Sequence, residues 1–275
     1  MLKLYVDSGS SIKQDEAKKY GINIIPLKLL LGDKEYLDDG KELSMDEFYH
    51  HLVDLNEFPK TSLPNLYQYE ELINKDTEDG NDVIILTISS SISSTYNSFK
   101  ILFEDNKKVK VIDSKMAVGG MRFITELILK NQDKSLDEIE KIVNDFIPRI
   151  QTIAIPETLN YLFKGGRLSK AELIVGSILQ IKPIIGFKDG KVKALGKALG
   201  LKKGMRFILD DIEKNGFDPE YGFIASYTHN KNNIDELIEK SNDEIKKNIK
   251  CFDDLDPAIA SHWGPGAFGY IYVKK

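Results

Sequence analysis

Three features of the sequence predict an α/β chain built on a parallel sheet. Short apolar runs rich in β-branched residues alternate with amphipathic segments at helical spacing as far as Pro148. Three of those runs end in an acid or a hydroxyl, at Asp7-Ser8, at Ser89 and at Asp113-Ser114. Such groups then sit at the carboxyl ends of strands, where open α/β sheets hold small ligands. Beyond Pro148 the rhythm changes, so a first unit is expected over residues 1–150 and a smaller α/β unit over residues 151–275.

Composition narrows the function classes. The 275 residues are 41% hydrophobic, enough to bury a sizeable core in one large domain or two smaller ones. A net charge of -5 argues against general nucleic-acid binding, which needs a basic surface. The single cysteine, Cys251, excludes an internal disulfide framework and fits a reducing cytosol. Four histidines show no metal-ligand spacing. The N-terminus runs directly into a strand with no signal peptide, and no apolar run reaches the ~18 residues of a membrane span. A cytoplasmic location is expected.

Taken in order, Leu2–Val6 reads as a strand and Ser11–Tyr20 as a helix stopped by Gly21. Asn23–Leu31 reads as one strand, with Pro26 marking an edge or bend. Gly32–Gly40 is rich in turn residues, and Ser44-x-x-Glu47 is a capping box that opens a helix through Phe48 and Leu52. Pro59–Asn65 (PKTSLPN) is expected to be a rigid loop presenting Thr61 and Ser62. A helix carrying Leu66, Tyr69, Leu72 and Ile73 leads to the central strand Val83–Ile88.

That strand breaks into five serines in six positions, Ser89–Ser94 around Ile92, before a helix from Thr95 capped by Ser93 or Ser94. A helix N-terminus at that edge favours an anion, and neither GxxxxGK[ST] nor GxGxxG is present. Val109–Asp113 is a strand, followed by two helices, the second opened by the Ser135-x-x-Glu138 box.

In the second half Thr152–Ile155, Pro183–Phe187, Lys191–Ala194, Gly222–Tyr227 and Tyr270–Val273 read as strands, and a further strand is expected from Pro257. YLFKGGRLS at 161–169 reads as a glycine-hinged loop, after which Ser169 caps a helix through Leu173, Val175 and Leu179. Helices are expected near Gly204–Lys214 and Ile234–Asn248.

The clustered hydroxyls Thr61, Ser62, Ser93 and Ser94 are the chief chemical signal, weighed against ordinary turn chemistry. A serine-dependent acyl hydrolase would use Ser93 with His262, although G-x-S-x-G is absent. A metal-dependent phosphotransferase would use Asp7 and Asp113, two acids without a third ligand. The stretch Gly190–Leu209 carries Lys191, Lys193, Lys197, Lys202, Lys203 and Arg206 and no acid. It reads as a solvated face or as a docking surface for an acidic partner or a phosphate, with Arg167 a second such candidate.

Seven motifs in order make the whole chain resemble the DegV family: Asp7-Ser8, PKTSLP at 59–64, ISSSISSTYNS at 88–98, VIDS at 111–114, GGRLS at 165–169, IKPII at 181–185 and HWGPGAFG at 262–269. That family includes the fatty-acid-binding subunits of bacterial fatty acid kinase. The resemblance implies an N-terminal Rossmann-like layered sandwich with a mainly parallel sheet, a smaller C-terminal α/β domain, and an acyl chain buried between or within them. It implies that Thr61 and Ser93 hold a long-chain fatty acid carboxylate, flanked by Ser62 and Ser94 and supported by His262. It implies a non-catalytic carrier with no cofactor or metal. A separate kinase subunit would phosphorylate the carboxylate to an acyl phosphate. The product would then pass to an acyltransferase or a membrane surface for phospholipid synthesis. Two departures stand out. Ser94 replaces a glycine of the family's LSGTY, and KALGLKKG, whose cations are Lys197, Lys202 and Lys203, lacks an arginine that many relatives carry near Leu199, with Lys202 and Lys203 the expected partner or phosphate contacts.

Overall fold

The structure is a computed structural model that describes residues 1–169 and 180–275. The helix expected after Ser169 lies outside the described residues. From the N-terminus come β1 (Leu2–Asp7), α1 (Gln14–Tyr20), β2 (Ile22–Ile25), β3 (Lys28–Leu31), β4 (Lys34–Leu37), α2 (Met45–Tyr49), β5 (Lys60–Ser62), α3 (Leu66–Glu78), β6 (Asp82–Thr87), α4 (Thr95–Leu102), β7 (Val109–Asp113), α5 (Gly119–Lys130) and α6 (Leu136–Phe146). The second half adds β8 (Ile150–Ile155), α7 (Asn160–Lys164), β9 (Ile181–Lys188), β10 (Lys191–Leu199), α8 (Leu201–Asn215), β11 (Phe223–Tyr227), α9 (Asn232–Lys240), α10 (Asp243–Lys247), β12 (Ile249–Asp254), α11 (Pro257–Trp263) and β13 (Phe268–Val273).

The fold is a mixed α/β architecture with a parallel sheet and a second, larger sheet. The parallel sheet has the order β2-β1-β6-β7. Its central strand is buried along Val83–Leu86, as a parallel strand covered on both faces must be. Helices α5 and α6 lie between this sheet and the six-stranded sheet β10-β9-β8-β13-β11-β12, so one core runs from Leu4, Val6 and Leu86 through Phe123, Ile139 and Val143 to Ile224 and Ile271. Ser135 opens α6 with both halves of its capping box formed. On the far face of the larger sheet, Met205, Ile208 and Ile212 of α8 cover Phe223, Tyr270 and Tyr272.

Several segments differ from their sequence reading. Pro26 separates two strands rather than bending one: β2 joins the parallel sheet and β3 joins a small antiparallel sheet, β4-β3-β5. The expected loop Gly32–Gly40 contains β4, which turns back on β3 through Gly32-Asp33, with Gly32 at φ +59°. The expected loop Pro59–Asn65 contains β5, because Pro59 and Pro64 flank the paired residues and remove no ladder donor. Residues 161–164 of the expected glycine-hinged loop belong to α7.

Ile234–Asn248 is two helices, since Asn242 accepts from Ile245 N and starts a new one. Strand β12, carrying Cys251, was missed because its buried and exposed positions mix charged with apolar residues. Pro257 opens a helix rather than a strand, at the first helical position, which suits proline.

Helix α11 is anchored on two layers at once. Ala258 and Ala260 pack with Leu29, Leu31 and Phe48 over the small sheet. The buried Asp38 fixes the start of α11: Ala258 N donates to Asp38 Oδ1 (3.1 Å), and Ser8 Oγ donates to Asp38 Oδ2 (2.7 Å). Asp38→Ala would leave both donors without an acceptor. It is expected to lower the urea-unfolding free energy by about 2–4 kcal/mol. Ser135→Ala, far from α11, is expected to cost about 1 kcal/mol in the same measurement.

Candidate ligand cavity

The segments holding the predicted hydroxyls converge on one cavity of about 270 Å³. Strand β5 brings in Thr61 and Ser62 by pairing with β3, where Leu29 stands opposite Thr61. The serine turn after β6 brings Ser93 and Ser94, and α11 brings His262 and Trp263. Arg167, after α7, completes a polar side to which Thr61, Ser62, Ser93, Ser94 and His262 also belong. The remaining wall is apolar, with Leu27, Ile88, Ile92, Phe187, Val192 and Ile259.

Phe187 and Val192 come from the β9–β10 hairpin, whose two-residue Asp189-Gly190 turn has φ +51° and +77°. Ser89 Oγ donates to Gly190 O (2.7 Å) and so pins that hairpin to the serine turn. The place of this turn over the site is a long-range contact without a local signal in the sequence.

The polar side is closely interlinked. Thr61 Oγ1 and His262 Nε2 are 2.9 Å apart. Ser93 Oγ bonds Thr95 Oγ1 (2.8 Å) and accepts from Thr95 N (3.3 Å), so Ser93 rather than Ser94 caps α4 through its side chain. Arg167 Nε donates to Ile92 O (2.9 Å) and Nη1 to Gly165 O, which ties the serine turn to the segment after α7. Gly165 is a steric necessity: a Cβ there would lie 2.1 Å from His262 Nδ1.

Electrostatics keeps the imidazole neutral. Burial, reinforced by the charge of Arg167, lowers the His262 pKa to about 3. Burial alone pushes the Arg167 guanidinium below its ordinary value, which still leaves it charged. A positive group thus lines a partly desolvated cavity beside four hydroxyls and a neutral imidazole. That set of donors suits a single anion with an apolar body.

The alternatives from sequence find no matching geometry. The hydroxyl on His262 is that of Thr61 rather than Ser93, and Nδ1 has no hydrogen-bond partner, so no acid orients the ring. Asp7 accepts from Gly9 N (3.0 Å) and Ile88 N (2.8 Å). Asp113 accepts from Ser90 N (3.1 Å), Lys115 N (2.9 Å) and Ser90 Oγ. Both carboxylates therefore brace loops at strand ends. Among the described residues no three His, Cys, Asp or Glu side chains group to hold a metal ion. Lys202 and Lys203 stand exposed on the first turn of α8 and do not line the cavity, whereas Arg167 does. No described helix is long and apolar enough to cross a membrane.

A family model described as an uncharacterised protein of the DegV family matches residues 1–275. A DegV domain-containing protein of Caldanaerobacter subterraneus subsp. tengcongensis is 32% identical over 281 residues, covering 100% of this chain and 99% of the relative. Among solved structures, a fatty acid binding DegV family protein from Streptococcus agalactiae superposes with a TM-score of 0.88 at 23% identity, covering 100% of this chain and 99% of the other. A stearic acid-binding protein from Eubacterium ventriosum gives a TM-score of 0.86 at 23% identity with the same coverage.

The depressed histidine has a consequence for stability. The unfolded imidazole takes up a proton below about pH 6.5, while the folded one stays neutral down to about pH 3. Acid therefore favours unfolding: this contribution is intact above pH 6.5 and is lost as pH falls toward 3, by up to on the order of 4 kcal/mol. Comparing unfolding free energies of wild type and His262→Gln across that range isolates it. The difference between the two proteins is expected to shrink or reverse toward acid pH.

Proposed function

Because the chain belongs to the DegV family over its whole length, we propose that it is a carrier for a long-chain fatty acid. The observation that carries this reading is the two-sided cavity, with Thr61, Ser93, His262 and Arg167 on one side and apolar side chains around the rest. Burying an acyl chain gains about 0.8 kcal/mol per methylene, which supplies tight binding without any catalytic step. Its carboxylate must then meet donors, since an unpaired buried charge costs several kcal/mol. The neutral His262, donating from Nε2 to Thr61 Oγ1, turns the Thr61 hydroxyl hydrogen toward that carboxylate. Similar proteins from Streptococcus agalactiae and Eubacterium ventriosum are described as binding fatty acid and stearic acid, which supports the same ligand here.

The carrier offers the bound carboxylate to a separate kinase subunit and takes no catalytic part itself. Thr61, Ser93 and Arg167 meet the head group from the polar side of the cavity, leaving an oxygen open to a phosphoryl donor. The acyl phosphate then passes, in the cytoplasm, to an acyltransferase or a membrane surface for phospholipid synthesis. The kinase docks through the basic segment: Lys202 and Lys203 occupy the first turn of α8, where the helix dipole disfavours cations, so an acidic partner relieves that repulsion. The bound acyl chain lies between the units 1–150 and 151–275.

Thr61→Val keeps the shape of the side chain and removes its hydroxyl. Titration with a fluorescent fatty acid is expected to show binding weakened about 5- to 100-fold for Thr61→Val, and at least as much for Arg167→Gln. Unchanged affinity in both would overturn the assignment of the carboxylate to this side of the cavity. With the kinase partner, Ser93→Ala is expected to slow phosphoryl transfer about tenfold or more, as followed by acyl phosphate formation.

A further inference from the structure

Next to the ligand cavity lies a second space of about 20 Å³, and among the described residues Trp263 alone lines both. The floor of the second space is the six-stranded sheet at a row of small residues. Ala154 of β8 stands opposite Gly269 of β13, which stands opposite Ser226 of β11. With no side chain at Gly269 and short ones on either side, the sheet surface is low there. Thr152 lies two residues before Ala154 and so faces the same way. Thr152 and Ser226 are 2% and 7% exposed, and neither hydroxyl has a hydrogen-bond partner. Both residues line the second space together with the apolar Val118, Leu255 and Ala267.

We propose that Trp263 sets the length of acyl chain that the cavity accepts. Its indole, at the last position of α11, stands between the cavity and this trough. His262, the preceding residue, holds the polar side through Thr61, so head group and far wall are set by neighbouring positions on one helix. A chain whose carboxylate lies at Thr61 runs past Ile88 and Phe187 and stops at the indole, short of Thr152 and Ser226. Removing the indole joins the two spaces and lets a longer chain lay its methyl end over Ala154 and Gly269.

This inference rests on the fatty-acid reading and is tested by titrating wild type, W263F, W263A and the double variant W263A/S226L with a homologous series from lauric to behenic acid. Each added methylene that finds room raises affinity about fourfold. The best-bound acid is expected to lengthen by about two or more carbons in W263A, and by less in W263F. It should shorten again in W263A/S226L, where the trough is filled. Folded W263A with the wild-type optimum overturns the role of Trp263. Should W263A fail to fold, W263F decides: a longer optimum supports the role and an unchanged one overturns it. Wild-type protein that binds no member of the series overturns the fatty-acid reading itself.

Discussion

The arrangement depends on one buried carboxylate. Asp38 accepts from Ala258 N at the start of α11 and from Ser8 Oγ at the end of β1, while Ser8 Oγ in turn accepts from Leu27 N (3.0 Å). Asp38 N closes the circle on Leu27 O (2.8 Å). Through these bonds the parallel sheet, the small antiparallel sheet and the helix bearing His262 and Trp263 share one reference point. Burial, reinforced by the charge of Asp256, raises the Asp38 pKa, while Lys13 offsets part of that. Lys13 itself joins α11 to the first strand–helix connection through Asp256 and through Asp254 O (2.9 Å). A carboxylate is expensive to bury, and its donors come from elements far apart in sequence. Its retention at this junction is consistent with holding three layers in one register.

The cavity is built outward from that junction. The small sheet sets Thr61 opposite Leu29, and α11 sets His262 against Thr61. The serine turn arrives from the parallel sheet and the apolar wall from the β9–β10 hairpin. No single element contains the site, and each contributes only part of its lining. The chemistry is correspondingly simple: polar donors gathered on one side, one guanidinium among them, and hydrocarbon elsewhere. The histidine acts as a neutral hydrogen-bonding group because burial and Arg167 keep it unprotonated, and Gly165 leaves its Nδ1 face free of side chain. Nothing in that set resembles a nucleophile with an oriented base.

Much of this was legible in the sequence because it is local. The continuous apolar run at Val83–Leu86, the Ser135 capping box, the Gly21 helix stop and the serine turn each state their own conformation. The hydroxyl cluster was legible as a cluster, and the motif order grouped Thr61, Ser93 and His262, which line one cavity. What escaped is what pairing decides. Lys60–Ser62 becomes a strand only because β3 is there to receive it, and Pro59 and Pro64 disguised it as a loop. Pro26 gave no hint that the chain changes sheets. Arg167 read as a contact for an acidic partner or a phosphate, and the structure places it in the cavity wall. Its position depends on carbonyls of Ile92 and Gly165 that no spacing predicts. The place of Trp263 against both cavities emerges only once β8, β11 and β13 are assembled.

The most direct measurement is native mass spectrometry of the purified protein, with organic extraction and lipid identification after it. One fatty acid per chain, released on denaturation and absent from a variant in which Thr61 and Arg167 are both replaced, is the result this account predicts. A chain that purifies empty and takes up neither added palmitate nor added oleate would contradict it.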